Sequence, residues 1–277
     1  MPEDTSSTCP WKLGVCDFSN SEPLKNAELI QDAGFDYIEP GLAKATMLSA
    51  RELAIAAQNI SARNFRVLSM NWFLPPGLKV TGPDVDPKLC RQYVEKAFAV
   101  ADMMVAEAVV FGSPGSRSID EDFSMDKAWS QLVDFCHMCA DVIRENNYGV
   151  RLGVEHVNYT ETNVVRKLVD AIRLAKEVNR PEIGVTVDFY HLIMEKEPME
   201  TILDAERMVL AVQMANPANR CYPRKDDEIP QLKEFFQMLH KIGYSGGIGI
   251  EANVEDVAAE GAEALAYLKR IIREALA

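Results

Sequence analysis

Eight short runs of β-branched and apolar residues recur along this chain. Most of the gaps between them hold longer stretches with apolar residues at i, i+3 and i+4. The runs fall at 11–16, 36–40, 67–72, 108–112, 150–158, 183–188, 209–215 and 247–252. Helical periodicity marks 51–64, 88–106, 128–146, 164–179, 229–243 and 258–277. Strand and helix in alternation predict a parallel sheet with helices against it. Eight such units close into a (β/α)8 barrel of roughly 250 residues, so the 277 residues are read as one domain, 1–277, with 1–10 a flexible polar tail. An open doubly wound sheet would usually carry a glycine-rich phosphate turn after its first strand, whereas Cys16-Asp17-Phe18-Ser19-Asn20 contains no glycine.

Charge narrows the partners. Twenty-nine basic residues face 42 acidic ones, a net charge of −13, which opposes attraction to nucleic acid or to an anionic membrane. No run approaches the ~18 consecutive apolar residues of a membrane-spanning helix, and no basic leader opens the chain. A cytoplasmic protein is expected. Six cysteines are too few for a disulfide scaffold, and Cys136 and Cys139, although spaced C-x-x-C, share the apolar stripe of a predicted helix. They read as buried thiols rather than a redox or zinc pair.

Side chains two apart share a face of a strand, so the last four strands can be read residue by residue. Leu152 and Val154, then Ile183, Val185 and Val187, then Leu210, Val212 and Met214, then Ile248 and Ile250 point towards the helices. The inward positions hold small residues followed by one oxygen-bearing side chain near the C-terminal end of each strand: Glu155, Asp188, Gln213 and Glu251. Active sites of such barrels lie at that end. Three carboxylates converging there call for a cation, and all-oxygen ligation suits Mn²⁺ or Mg²⁺ better than Zn²⁺.

The motifs Gly34-Phe35-Asp36-Tyr37-Ile38-Glu39, Asn71-Trp72-Phe73-Leu74-Pro75, Phe111-Gly112-Ser113-Pro114-Gly115-Ser116-Arg117, Glu155-His156-Val157-Asn158 and Asp188-Phe189-Tyr190-His191 point the same way. Together they resemble the xylose isomerase-like TIM barrels, the sugar phosphate isomerases and epimerases, over almost the whole length. The chain is most similar there to ketose 3-epimerases and hydroxypyruvate isomerase. The resemblance implies one divalent metal, Mn²⁺ with Mg²⁺ or Co²⁺ as alternatives, on Glu155, Asp188, Gln213 and Glu251. It implies substrate-binding roles for Glu161, His191 and Arg220, and a dimer or tetramer of identical chains. Two departures stand out: Gln213 where the epimerases have histidine, and Glu155-His156-Val157 where they have Glu-Pro-Leu.

The implied activity is isomerisation or epimerisation of a keto-sugar or small hydroxy-ketone, in carbohydrate metabolism. Glu155 and Glu251 would move a proton to and from an enediolate held at the metal. Glu39 at the end of strand two reads as a substrate contact or a structural ion pair with an arginine. Arg117 reads as an anion contact or a loop cap, and Trp72 as an apolar wall or as core. A lyase acting on an oxidised sugar glycoside begins with the same proton abstraction and stands as the alternative. An endonuclease IV-like phosphodiesterase needs several histidine ligands for three zinc ions, whereas of the four histidines here only His191 falls near the cluster, and a non-catalytic sugar-binding barrel has no need of the bases.

Overall fold

The computed structural model describes residues 9–224 and 227–277, so most of the tail expected at 1–10 lies outside the described residues. Eight strands form: β1 Lys12–Cys16, β2 Tyr37–Glu39, β3 Ser69–Met70, β4 Ala108–Phe111, β5 Arg151–Glu155, β6 Ile183–Asp188, β7 Val209–Met214 and β8 Gly247–Ile250. They order as β2-β1-β8-β7-β6-β5-β4-β3, with every pairing parallel. Parallel bridges Ile38–Val67 and Gly41–Asn71 join β2 to the β3 segment and bring the ends of the sheet together. The result is the (β/α)8 barrel expected from the alternation.

The helices are α1 Pro23–Asp32, α2 Leu42–Ala45, α3 Ala50–Ala62, α4 Pro87–Met103, α5 Pro114–Arg117, α6 Met125–Glu145, α7 Leu168–Val178, α8 Phe189–Met194, α9 Gln231–Lys241 and α10 Val257–Leu276. Several of their starts are capped by side chains. Ser49 and Glu52 form a reciprocal capping box on α3, while Asp86, Ser124 and Asp256 accept backbone N–H groups at the starts of α4, α6 and α10. The helical stretch expected at 164–179 begins only at Leu168, because Val165 sits at φ 56° and no helix passes through that conformation. Helix α1 escapes a periodicity reading because it buries only Pro23 and Ile30, too few for an apolar stripe. A 3₁₀ segment, Met199–Met208, links α8 to β7.

The outward strand positions pack under these helices: Leu152, Val154, Val185, Val187, Val212, Met214, Ile248 and Ile250 all belong to one apolar core. Between β3, β4, α4 and α6 that core is aromatic. Phe73 stacks on Phe98 at 5.5 Å and meets Phe111 edge-on at 5.9 Å. Cys136 and Cys139 on α6 are fully buried and unoxidised, and burial raises both thiols above their ordinary range. Cys136→Ser and Cys139→Ser are expected to leave kcat unchanged while each lowers unfolding free energy by about 1–3 kcal/mol, since a buried hydroxyl there lacks a partner. Steady-state assays beside denaturant melts check this, and lost activity in a folded variant would contradict it. No helix among the described residues is long and apolar enough to cross a membrane.

Candidate active site

The C-terminal ends of β5 to β8 carry the four oxygen-bearing side chains read as candidate ligands, Glu155, Asp188, Gln213 and Glu251. Asp188 pairs directly with Gln213, whereas Glu155 pairs with Thr186, two residues before Asp188, and Gln213 pairs with Gly249, two residues before Glu251. All four, counting Glu251 just beyond β8, are buried. Small neighbours make the room: a Cβ on Gly112 would run into Oε2 of Glu155, and a Cβ on Gly249 into Sγ of Cys16.

Hydrogen bonds fix how each side chain is presented. The Gln213 Nε2 donates to Oε1 of Glu39, whose Oε2 accepts the Ser69 hydroxyl. That arrangement defines the amide's orientation and leaves Gln213 Oε1 buried with no hydrogen-bond partner among the described residues. Asn71 donates through Nδ2 to Glu251 Oε1 at 2.9 Å and to the Asp17 carbonyl at 3.0 Å. Arg220 clamps the other Glu251 oxygen at 2.9 Å and Glu161 at 2.7 Å. Its guanidinium is held between the rings of Phe18 and Tyr190, 4.5 and 4.7 Å from their centres.

His191 sits one turn beyond Asp188, and its backbone N–H donates to Asp188 Oδ1 at 3.0 Å. Its Nδ1 accepts the Asn158 backbone N–H at 3.3 Å. A backbone N–H can only donate, so the neutral ring carries its proton on Nε2, 3.5 Å from Glu155 Oε1. Burial lowers the His191 pKa and keeps the ring neutral. Ligand atoms of Glu155, Asp188 and His191 lie within 4.8 Å of one another, close enough to share one ion. The tautomer argues that His191 donates a hydrogen bond there rather than coordinating through Nε2.

Burial dominates the electrostatics. It raises Glu155 to about 7 against the pull of Arg117 and Arg220, and Asp188 to about 6 against the pull of Arg220. Glu251 is raised too, by burial and by the charge on Glu155. Beneath them burial lifts Glu39 to about 8. Four carboxylates held out of water with so little counter-charge are poised for a cation.

Trp72, Glu161, His191, Arg220, Glu155 and Glu251 line a cavity of about 50 Å³ at the C-terminal mouth. Trp72 is half exposed there, its indole N–H donating to the Asp17 carbonyl at 2.6 Å. Around the same cavity Trp72, Ser113 and Arg220 all have positive φ, a conformation that costs non-glycine residues energy and concentrates at functional sites. A larger hollow of about 380 Å³ includes Ile60, Phe65, Met103 and Val105, but only Arg66 and Glu107 among its lining residues are charged, with no convergent cluster.

Two expected site residues are placed elsewhere. Glu39 is fully buried and bonded to Ser69 and Gln213, with no arginine partner among the described residues, so it supports the cluster from below. Arg117 is fully buried under the loop, donating to the carbonyls of Phe111 at 3.0 Å and Val165 at 3.4 Å, and does not line the cavity. Four contributors carry no site signal of their own in the sequence: Asn71, Phe18, Tyr190 and Asn158. Asn71 and Tyr190 adjoin residues singled out above, which is the only hint they give.

The family model of xylose isomerase-like TIM barrels matches residues 27–271. A ketose 3-epimerase of Arthrobacter globiformis is 31% identical over 117 residues, 42% of this chain and 39% of that enzyme. The chain thus aligns with well under half the length of that relative. An L-ribulose 3-epimerase of Methylomonas sp. (strain DH-1) is 24% identical over 227 residues, 79% of this chain and 74% of that enzyme. A solved L-ribulose 3-epimerase structure superposes with a TM-score of 0.81 at 16% identity, covering 96% of each chain.

Proposed function

The chain belongs to the xylose isomerase-like TIM barrel family, and from that premise we propose that it is a metal-dependent epimerase of a keto-sugar, working by proton transfer next to a carbonyl. The observation that carries this reading is the buried Oε1 of Gln213, without a hydrogen-bond partner among the described residues, on a side chain paired in register with Asp188 at the strand ends that also carry the buried Glu155 and Glu251. An orphaned buried acceptor is costly unless a ligand satisfies it, and a divalent cation also offsets the desolvated anions. Likeness to 3-epimerases supports epimerisation over aldose–ketose isomerisation.

Glu155, Asp188, Gln213 and Glu251 would hold one divalent cation, Mn²⁺ for this all-oxygen set. The cation, when bound, supplies Lewis-acid polarisation of the substrate carbonyl. Glu155 and Glu251, from strands three apart in the barrel order, take and return the proton on opposite faces of the planar enediolate. His191, with its proton on Nε2, donates to a substrate oxygen. Arg220 and Glu161 hold hydroxyls at the mouth, and Trp72 with Phe18 forms the apolar wall. Arg220 leaves Glu251 as substrate enters, since its guanidinium now occupies the oxygen that the proton needs.

The metal assignment has a pH signature in the stripped protein. Glu39, Glu155 and Asp188 titrate near 8, 7 and 6 when folded, against roughly 4 when unfolded. The folded state therefore binds more protons through this window, so stability is full below pH about 4 and falls as pH rises towards 8. Chelator-treated protein is expected to melt lower at pH 7.5 than at pH 5.5 for these groups, and Mn²⁺ to raise the melting temperature more at pH 7.5. Elemental analysis is expected to find one Mn, Mg or Co per chain as purified. No bound metal together with unchanged melting after stripping would overturn the proposal.

A further inference from the structure

Resting on the metal reading above, we infer that His156 is a positioning residue that sets Asp188 for its ligand role. His156 follows Glu155, is fully buried, and accepts the backbone N–H of Asp188 on Nε2 at 3.2 Å. The β5–β6 ladder ends at Glu155 and Thr186, two residues short of Asp188. The imidazole thus takes the place of a strand carbonyl where the two strands part, and it fixes the height at which Asp188 leaves the sheet. From that point Asp188 turns the chain into α8, using Oδ1 to accept the His191 N–H at 3.0 Å, which leaves Oδ2 for the cation. The His156 ring also meets the His191 ring edge-on, centres 6.1 Å apart. One side chain therefore bears on Glu155 through the backbone, on Asp188 through a hydrogen bond and on His191 through ring packing.

Because the Asp188 N–H can only donate, His156 carries its proton on Nδ1, the opposite tautomer to His191. That Nδ1 has no hydrogen-bond partner among the described residues. Outer partners of metal ligands typically account for ~10–100-fold in affinity, and that is the scale expected here.

The test compares the full-length parent with His156→Phe, which keeps a ring without the acceptor, and His156→Gln, whose amide oxygen reaches close to the position of Nε2. Mn²⁺ affinity is measured by titration calorimetry on chelator-stripped protein. His156→Phe is expected to bind Mn²⁺ at least ~10-fold more weakly than the parent, and His156→Gln to recover most of that loss. Equal affinity in parent and His156→Phe, or no recovery in His156→Gln, overturns the inference. If His156→Phe does not fold, long-range ¹H–¹⁵N correlation of the parent's imidazoles decides the contact. Expected is a protonated Nδ1 and a bare Nε2 at His156, and the reverse tautomer overturns the inference. A parent that binds no Mn²⁺ instead overturns the metal reading, and with it the affinity role of His156, while the tautomer still decides separately whether the His156–Asp188 contact exists.

Discussion

Glu251→Gln and Glu155→Gln are each expected to lower kcat at least about a hundredfold at saturating Mn²⁺, the usual size of a general acid–base contribution. Glutamine keeps the shape and one coordinating oxygen but neither accepts nor returns a proton. The same changes should not weaken the metal-free fold. Both carboxyls are buried, and burial is the largest cause that raises their pKa, so a neutral amide relieves a desolvation penalty even as Glu251 loses its ion pair with Arg220. Loss of turnover with an unchanged or raised melting temperature of stripped protein separates a chemical role from a structural one. Turnover within about tenfold of the parent in either variant would remove that residue from the proton path.

Asp188→Asn is the second large effect. Asp188 is 1% exposed, and its Oδ1 already serves the His191 N–H, so the amide would keep the helix cap while removing one of three anionic ligands. Mn²⁺ affinity is expected to fall by more than the ~10–100-fold typical of losing an outer partner of a metal ligand. Excess Mn²⁺ should restore part of the activity, unlike in Glu251→Gln. Calorimetric titration checks the affinity. Parental Mn²⁺ binding by Asp188→Asn would show that the ion, if bound, sits elsewhere.

What the sequence discloses follows from how local each signal is. Alternation with period two is a property of a strand alone, so the inward placement of Glu155, Asp188 and Gln213 is legible without the barrel. The six amphipathic helices are equally legible, whereas α1, with two buried residues, is not. Glu39 misleads for a physical reason: its position at a strand end says which face it takes, but not that Ser69 and Gln213 from β3 and β7 cover it. Arg117 lies in a Gly-Ser turn and reads equally as an anion contact or a loop cap, and only the fold favours the cap, with two backbone carbonyls receiving its guanidinium. Asn71 reaches Glu251 across 180 residues of sequence, a separation over which no periodicity speaks.

The central claim is proton transfer through the carboxylates at the strand ends, and its most direct measurement is turnover in D₂O at saturating Mn²⁺ with keto-sugar substrates. Both carboxylates line the cavity at the barrel mouth, and if they exchange their protons with solvent there, the proton returned to the inverted carbon comes from water. Product formed in D₂O is expected to carry deuterium at that carbon, and Glu251→Gln is expected to form little product, labelled in the same way. Rapid turnover to product free of deuterium, with the substrate hydrogen carried across, would contradict the account.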